Sequence, residues 1–310
     1  MNKYLVGDNL KLLKQIEEVD FIYLDPPYCT GRDFGDFEDK FDSMKEFVEF
    51  IRKRVEIMHS KLKKTGTIAI HVDPISSHYL KVMMDDVFGI RNYKNEIILT
   101  TNNQKNVKKK LMRSHDTILV YSKNGVQNYN QIYLPYSDNK KWSVDKRGEY
   151  ITSAAKNSQP DVIKRPNLRF EWNGHYHQWW VSKEKMQVLH DEGRLQYNKE
   201  GIPRVKRYKH EMNGVPLRDV WTDISSVQNG EKVDYATQKP VKLLDRLLDL
   251  YTNEGDICLD PFAGSGTLGR SCIDKKRNYI LMDINSKGKK VFNKSIEPWK
   301  SAVRKADGLE

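Results

Sequence analysis

Short apolar runs bounded by turn residues recur along the chain, at Phe21–Leu24, Thr67–Val72, Glu96–Thr100, Thr117–Tyr121, Ile257–Leu259 and Tyr279–Met282. They predict buried strands of a mostly parallel sheet. Between them the apolar positions return at helical spacing, over Met44–Leu62, His78–Phe88 and Val241–Tyr251. In the last of these, Leu243, Leu244, Leu247, Leu248 and Tyr251 share one face. This alternation predicts a doubly wound α/β fold. It lapses between about residues 125 and 235, where the chain becomes polar, basic and interrupted by Pro160, Pro166, Gly174 and Gly214. That stretch reads as an insertion, which divides the chain into 1–124, an inserted 125–235, and 236–310.

Composition narrows the class. Of 310 residues, 31% are charged, yet 16 Tyr, 10 Phe and 6 Trp supply more aromatic bulk than a disordered polyelectrolyte carries. No stretch approaches the roughly 18 apolar residues of a membrane span, and the opening MNKYLVGDNLKLLKQIEE lacks the apolar centre of a signal peptide. The expectation is a cytoplasmic protein without membrane contact. Cys29, Cys258 and Cys272 form no CxxC pair, so they read as reduced thiols, not as a disulfide framework or a zinc site. His175 and His177 form an H-x-H pattern with no third ligand, and no metal is expected.

The formal net charge of +11 is unevenly distributed. Residues 101–123 hold six Lys/Arg against one acid, and residues 140–215 hold sixteen against nine. Four of the six tryptophans (Trp142, Trp172, Trp179, Trp180) lie in the second segment, an interleaving suited to phosphate contact and base stacking. A solvated lysine-rich surface around a small aromatic core accounts for the same counts equally well, since charge alone specifies attraction to a polyanion.

Two motifs carry the chemistry. In Val19-Asp20-Phe21-Ile22-Tyr23-Leu24-Asp25-Pro26-Pro27-Tyr28 a buried strand runs into Asp-Pro-Pro-Tyr. The two prolines make a rigid turn at the strand's carboxyl end, where ligands bind in open α/β sheets. Asp25 and the Pro26 carbonyl are candidate convergent acceptors, with the Tyr28 ring beside them, an arrangement that suits a planar ring bearing an exocyclic NH2. An Asp-Pro-Pro turn taken alone is more often structural. In Asp256-Ile257-Cys258-Leu259-Asp260-Pro261-Phe262-Ala263-Gly264-Ser265-Gly266-Thr267-Leu268-Gly269 a strand enters a glycine-rich turn and then a helix. Asp283 ends the next strand 19 positions after Gly264, where a carboxylate can hold ribose hydroxyls. The literal G-x-G-x-x-G admits a dehydrogenase, but the match is weak alone. Asp260 at the strand end would oppose a pyrophosphate and suits a nucleoside cofactor with a cationic or amine-bearing tail.

DPFAGSGT together with DPPY resembles the amino-group DNA methyltransferases that use S-adenosylmethionine. With DPPY first and the glycine-rich motif last, the order resembles their permuted β group. Thr237-Gln238-Lys239-Pro240 is similar to the family's TQKP helix start near the cofactor's methionine part, and Gly7-Asp8-Asn9 to its contact with the cofactor adenine. The segment Gly193–Ile224 and the earlier RPNLRFEW also look like bacterial and phage site-specific DNA methyltransferases. Tyr235-Ala236 stands before TQKP where the family more often has a proline.

The resemblance implies a Rossmann-like class I methyltransferase fold with a target-recognition insertion. It implies catalysis by Asp25, Pro26, Pro27 and Tyr28 on a flipped base. It implies cofactor contacts from Asp8, Asn9, Thr237, Gln238, Lys239, Pro240, Asp260, Phe262, Gly264, Ser265, Gly266, Thr267 and Asp283, the glycines permitting close backbone approach. Lys108, Lys109, Lys110, Arg113, His115, Arg165, Arg169 and Trp172 are the candidate DNA contacts. Asp at position 25, where the family's cytosine enzymes more often have Ser, favours adenine N6. Expected partners are double-stranded DNA, a cognate restriction endonuclease and a second copy of the chain. Cytosine N4, RNA, and a non-catalytic nucleic-acid-binding role on the same fold remain the alternatives.

Overall fold

The computed structural model describes residues 2–29, 32–33, 38–101, 111–158, 165–224, 227 and 231–306. Lys108, Lys109 and Lys110 lie outside the described residues. The chain divides into two compact units, one formed by Met1–Ile132 with Arg218–Glu310 and the other by Tyr133–Leu217.

The larger unit is built on eight strands: β1 (Lys3–Val6), β2 (Val19–Leu24), β3 (Leu62–Val72), β4 (Tyr93–Thr100), β5 (His115–Ser122), β6 (Val220–Trp221), β7 (Ile257–Asp260) and β8 (Asn278–Asp283). Their order in the sheet is β1-β8-β7-β2-β3-β5-β4-β6, and every neighbour pair is parallel except those made by β5. The six strands read from the apolar runs are all present. Two edge strands were not anticipated, β1 and the two-residue β6. Each position of β2, VDFIYL, is buried, as a central strand covered on both faces requires. Beside it lies β7, with Cys258 opposite Phe21 and Leu259 opposite Ile22, so the two motif-bearing strands are neighbours.

Helix α1 (Asn9–Leu12) follows β1, and α2 (Met44–Lys61) and α3 (Ser77–Phe88) flank β3 in sequence. Ser43 caps α2 by accepting from the Glu46 amide at 3.1 Å, while Glu46 accepts from the Asp42 amide at 2.8 Å. Phe47, Ile51, Val55 and Met58 of α2 enter the main core. Helix α4 (Val241–Tyr251) buries five leucines together with Tyr251, as its periodicity predicts. Helices α5 (Thr267–Asp274) and α6 (Ser286–Ala306) follow β7 and β8.

The compact second unit is narrower than the 125–235 stretch marked by sequence. Asn130 belongs with the larger unit because its side chain donates to the Asp249 and Thr252 carbonyls at 3.1 and 3.0 Å. Val220–Trp221 likewise belongs there, paired with Ile98 and Leu99 of β4. Residues 133–217 hold a four-stranded sheet, the hairpin Arg169–Trp172/His175–Gln178, and the helix Lys183–Asp191. Their own core gathers Ala155, Phe170, Trp179, Met186, Leu189 and Leu195.

Candidate active site

The strand β2 ends in the Asp-Pro-Pro-Tyr turn, and the turn meets a cation. The Tyr28 hydroxyl donates to Asp25 Oδ1 at 2.7 Å, Lys239 Nζ donates to Tyr28 Oη at 2.8 Å, and the same ammonium lies 2.9 Å from Asp25 Oδ1. These three groups close a triangle in which a nitrogen donor is seated on the Asp25 carboxylate. Lys239 also lies 5.0 Å from the centre of the Tyr28 ring, a cation–π distance. Burial pushes the Tyr28 hydroxyl well above its ordinary pKa, with the Asp25 charge adding to the effect, so Tyr28 stays a neutral donor.

Opposite lies the glycine-rich turn between β7 and α5. Asp283, at the end of β8, is held on both oxygens: the Gly264 amide donates to Oδ2 at 2.9 Å and the Asn285 amide to Oδ1 at 2.8 Å. Asp260 is buried, and its Oδ1 accepts only from the Phe262 amide among the hydrogen bonds seen, at 3.0 Å. Burial pushes the Asp260 carboxyl well above the usual carboxylate range, and the nearby Asp25 and Asp283 charges push the same way. Gly264 and Gly266 both have left-handed φ values, +49° and +76°. A side chain at either would meet protein: the Tyr235 ring at Gly264 and the Phe292 ring at Gly266. These glycines therefore permit a close approach to neighbouring rings, and Gly264 also lines the cavity.

One cavity of about 680 Å³ collects the predicted residues. All four Asp-Pro-Pro-Tyr residues line it, as do all the positions singled out for the cofactor except Pro240 and Gly266. Its walls combine the Phe41, Phe50 and Phe262 rings with the Asp25, Asp260 and Asp283 carboxyls. Asn9 lies at its edge as a tie, donating to the Pro261 carbonyl at 2.7 Å and accepting from Arg54 Nε at 2.6 Å. Asp8 caps α1 through the Leu10 amide at 2.9 Å. Arg54 was not anticipated. Its signal is positional, a cation inside the apolar stripe of α2 next to Ile51 and Val55, its guanidinium 3.6 Å over the Phe50 ring. Gln238 spans the loop before α4, donating to the Glu231 carbonyl at 2.7 Å and accepting from the Val233 amide at 2.8 Å. Pro240 is the N-cap of α4, and Thr237 lines the cavity. Ser265 and Thr267 face each other at 3.2 Å between hydroxyl oxygens.

A second cavity of about 340 Å³ shares Gln238 and Lys239 with the first and is bounded by His71, Thr100, Asp116 and Pro240 among others. His71 is buried in β3, its Nδ1 2.7 Å from the Tyr23 hydroxyl. Its Nε2 stands 3.6 Å from Asp116 Oδ2, an ion-pair distance too long for a hydrogen bond, and has no hydrogen-bond partner. Burial alone would raise the Asp116 carboxyl, but His71, Lys239 and Arg113 together hold it below its ordinary range.

The candidate DNA contacts that are described fall in both units. Arg113 donates to the buried Asp73 carboxylate at 2.7 Å and is half-exposed; His115 begins β5 and is partly buried. In the second unit Arg165 and Arg169 are exposed, and Trp172 donates to the Tyr197 hydroxyl at 3.2 Å. Trp179, counted with the stacking aromatics, is instead fully buried, its Nε1 donating to the Phe170 carbonyl at 2.9 Å. Trp180 remains half-exposed. His175 and His177 stack at 6.0 Å, and His175 Nε2 bonds the Glu200 carbonyl. Among the described residues no cluster of His, Cys, Asp and Glu is placed to hold a metal, and no helix is long and apolar enough to cross a membrane.

A family model described as DNA methylase matches residues 19–294. Among curated relatives, the type II methyltransferase M.EcaI of Enterobacter cloacae is 27% identical over 305 residues, covering 91% of this chain and 66% of that protein. The DNA adenine methyltransferase YhdJ of Escherichia coli K12 is 28% identical over 290 residues, covering 90% and 77%. Among solved structures, the M1.HpyAVI–SAM complex superposes with a TM-score of 0.54 at 17% identity, covering 96% of this chain and all of that one. The chain therefore spans just under two thirds of M.EcaI, and its fold is like that of the M1.HpyAVI–SAM complex.

Proposed function

The chain belongs to the DNA methylase family, and from that premise we propose that it transfers a methyl group from S-adenosylmethionine to the exocyclic N6 of adenine in duplex DNA. One observation carries the reading: a nitrogen donor, the Lys239 ammonium, already rests on Asp25 and Tyr28 in the same cavity as Asp260, Asp283 and the glycine-rich turn. A target amine needs that same seat.

The cavity suits the cofactor. Its volume lies within the range of small-molecule sites, its rings can cover an adenine, and its four carboxyls (Asp8, Asp25, Asp260, Asp283) match a molecule carrying a sulfonium and an ammonium. We assign the ribose hydroxyls to Asp283, a reading supported by the two backbone amides that fix its carboxylate at the end of β8. When bound, the cofactor supplies an electrophilic methyl carbon on a positively charged sulfur. The residues of the chain solve the remaining problem, that an aromatic NH2 is a poor nucleophile because its lone pair is conjugated into the ring. Asp25 and the Pro26 carbonyl accept hydrogen bonds from the amine, favour a pyramidal nitrogen, and bear its developing positive charge. Tyr28 covers the base. As the N–C bond forms, the C–S bond breaks with its electron pair going to sulfur, and the amine then releases one proton to solvent. The base must leave the duplex to arrive there, an unstacking cost of a few kcal/mol that the pocket contacts offset.

The adenine assignment is supported by Asp at position 25 and by the printed name of the adenine methyltransferase relative. The family includes cytosine-N4 enzymes, which is the second reading. We assign target recognition to the unit Tyr133–Leu217, with its exposed Arg165 and Arg169, and expect a cognate restriction endonuclease and a homodimer as partners. The test is to incubate the protein with the cofactor and mixed-sequence duplex DNA, digest to nucleosides and identify the product by mass. N6-methyldeoxyadenosine is expected. N4-methyldeoxycytidine would overturn the base assignment, and no methylated nucleoside from DNA would overturn the substrate.

A further inference from the structure

The chain offers two cavities that share Gln238 and Lys239 in their walls. Lys239 lines both, and its ammonium occupies the Asp25 carboxylate at their boundary. A ligand in the second cavity that displaces this ammonium would meet the Asp25 carboxylate that Lys239 now holds. The second cavity carries its own unexplained feature. His71 is 1% exposed, and its Nε2 has no partner within hydrogen-bond distance, the Asp116 carboxylate standing 3.6 Å off, although a buried donor or acceptor left unmade is costly. Such a group in a native fold asks for an occupant. Tyr23 occupies Nδ1, which leaves Nε2 as the ring atom available to a ligand. Asp116, 3.6 Å away, supplies an acceptor on the same wall, and Leu99, Ile224 and Pro240 supply apolar surface for a flat ring. With Tyr23 donating to Nδ1, Nε2 carries the ring proton, so the wall presents a donor, an acceptor and apolar surface, the requirements of a heteroaromatic base.

Resting on the methyl-transfer reading, we propose that the second cavity receives the target base, and that His71 Nε2 hydrogen-bonds a ring nitrogen flanking the reactive amine. Tyr23 holds the imidazole in orientation through Nδ1. Asp116 faces the Nε2 side and aligns the imidazole with the base edge. His71 is thereby a base-contacting residue that no motif marks, and Lys239 is the group the incoming amine displaces.

The experiment is a cycle between protein and base atom. Duplexes carrying the mapped target adenine, or 1-deazaadenine or 7-deazaadenine in its place, are methylated by the wild type, His71→Leu and His71→Gln. Cofactor affinity is measured alongside by equilibrium dialysis. With the wild type, one of the two analogues is expected to lose about tenfold to a hundredfold in kcat/KM. His71→Leu is expected to lose as much on adenine and nothing further on that analogue. His71→Gln, which keeps an amide donor, should recover part of the loss on adenine but not on the analogue. Cofactor affinity should stay within a few-fold in both variants, which separates this role from a collapsed fold. The proposal is overturned if the wild type accepts both analogues as well as adenine, or if the analogue penalties are unchanged in both variants. A wild type that methylates no adenine would instead remove the methyl-transfer reading on which the inference stands.

Discussion

Replacing Asp25 by Ala removes the one acceptor shared by the Tyr28 hydroxyl and the Lys239 ammonium, at 2.7 and 2.9 Å. In the transition state the target nitrogen takes the place of that ammonium and carries part of the charge lost by sulfur, so Asp25 acts on the barrier more than on ground-state binding. A hydrogen bond to a charged group contributes about 1.5–3 kcal/mol. Taking about 3 kcal/mol for a preorganised carboxylate, at about 1.36 kcal/mol per factor of ten, the methyl-transfer step should slow roughly 150-fold. Asp25→Asn keeps an oxygen acceptor but loses the charge, and a neutral bond is about half as strong, so roughly a tenfold loss is expected. Single-turnover transfer of a labelled methyl group, with enzyme over DNA and saturating cofactor, isolates this step from product release. Cofactor affinity should change by no more than a few-fold. An Asp25→Ala protein that transfers methyl at the wild-type single-turnover rate would refute the assignment. So would an Asn variant slower than the Ala variant, because charge would then not be the operative quantity.

Three further outcomes follow from the same geometry. Gly266→Ala places a side chain at φ +76° against the Phe292 ring, and left-handed strain with overpacking should cost about 2–4 kcal/mol, seen as a lower urea midpoint; an unchanged midpoint would contradict the packing described. Burial raises the Asp260 carboxyl, so a cationic cofactor bound at a pH below that raised value should expel a proton, with affinity rising toward that value and levelling off above it. Titration calorimetry in two buffers of different ionisation enthalpy reads the released proton directly, and a cofactor that binds without net proton release would exclude this coupling. The Arg246 guanidinium, followed by Lys242, holds the Asp223 carboxyl well below its ordinary 3.8; Arg246 reaches both oxygens, at 2.8 and 2.6 Å. A depressed carboxyl contributes stability above its unfolded pKa that is lost as pH falls through the folded one. Asp223→Asn should therefore unfold at lower denaturant near neutral pH, with the gap to wild type closing in acid below about pH 4; a gap independent of pH would rule out the linkage.

The alternation of strands and helices was legible because buried strands have no polar face to disguise them, as in β2 and β3. The edges were not. In β1 only Tyr4 is fully buried, and β6 is two residues long, so neither shows a period. The limits of the second unit were blurred for a similar reason: the sequences of 125–132 and 218–235 show no apolar period, yet Asn130, Trp221 and Tyr235 belong to the larger unit. Within the cavity the motif residues announced themselves by chemistry and spacing. Lys239 on Asp25 did not, because 214 positions separate partners that only the sheet order unites. His71 gave no signal either. A histidine in an apolar run reads as a core residue, and its companion Asp116 sits on another strand, opposite Leu99 of β4. Trp179 misled in the opposite direction, since composition cannot tell a stacking surface from the core of a small unit.

The adjacency of β2 and β7 bears on when the protein becomes competent as it is made. The carboxylate at the end of β2 is synthesised more than two hundred residues before its neighbour strand, with all of Tyr133–Leu217 made in between. Contacts of such long sequence separation carry a loop-closure cost and are slow to form. A nascent chain therefore displays the acceptor turn long before it has the neighbouring strand, the glycine-rich turn or Asp283, and the inserted unit, with its own core, can fold in the interval. Competence arrives in one late step, when the last strands enter beside the first, and a chain interrupted before residue 257 has the acceptor turn but no floor for a cofactor.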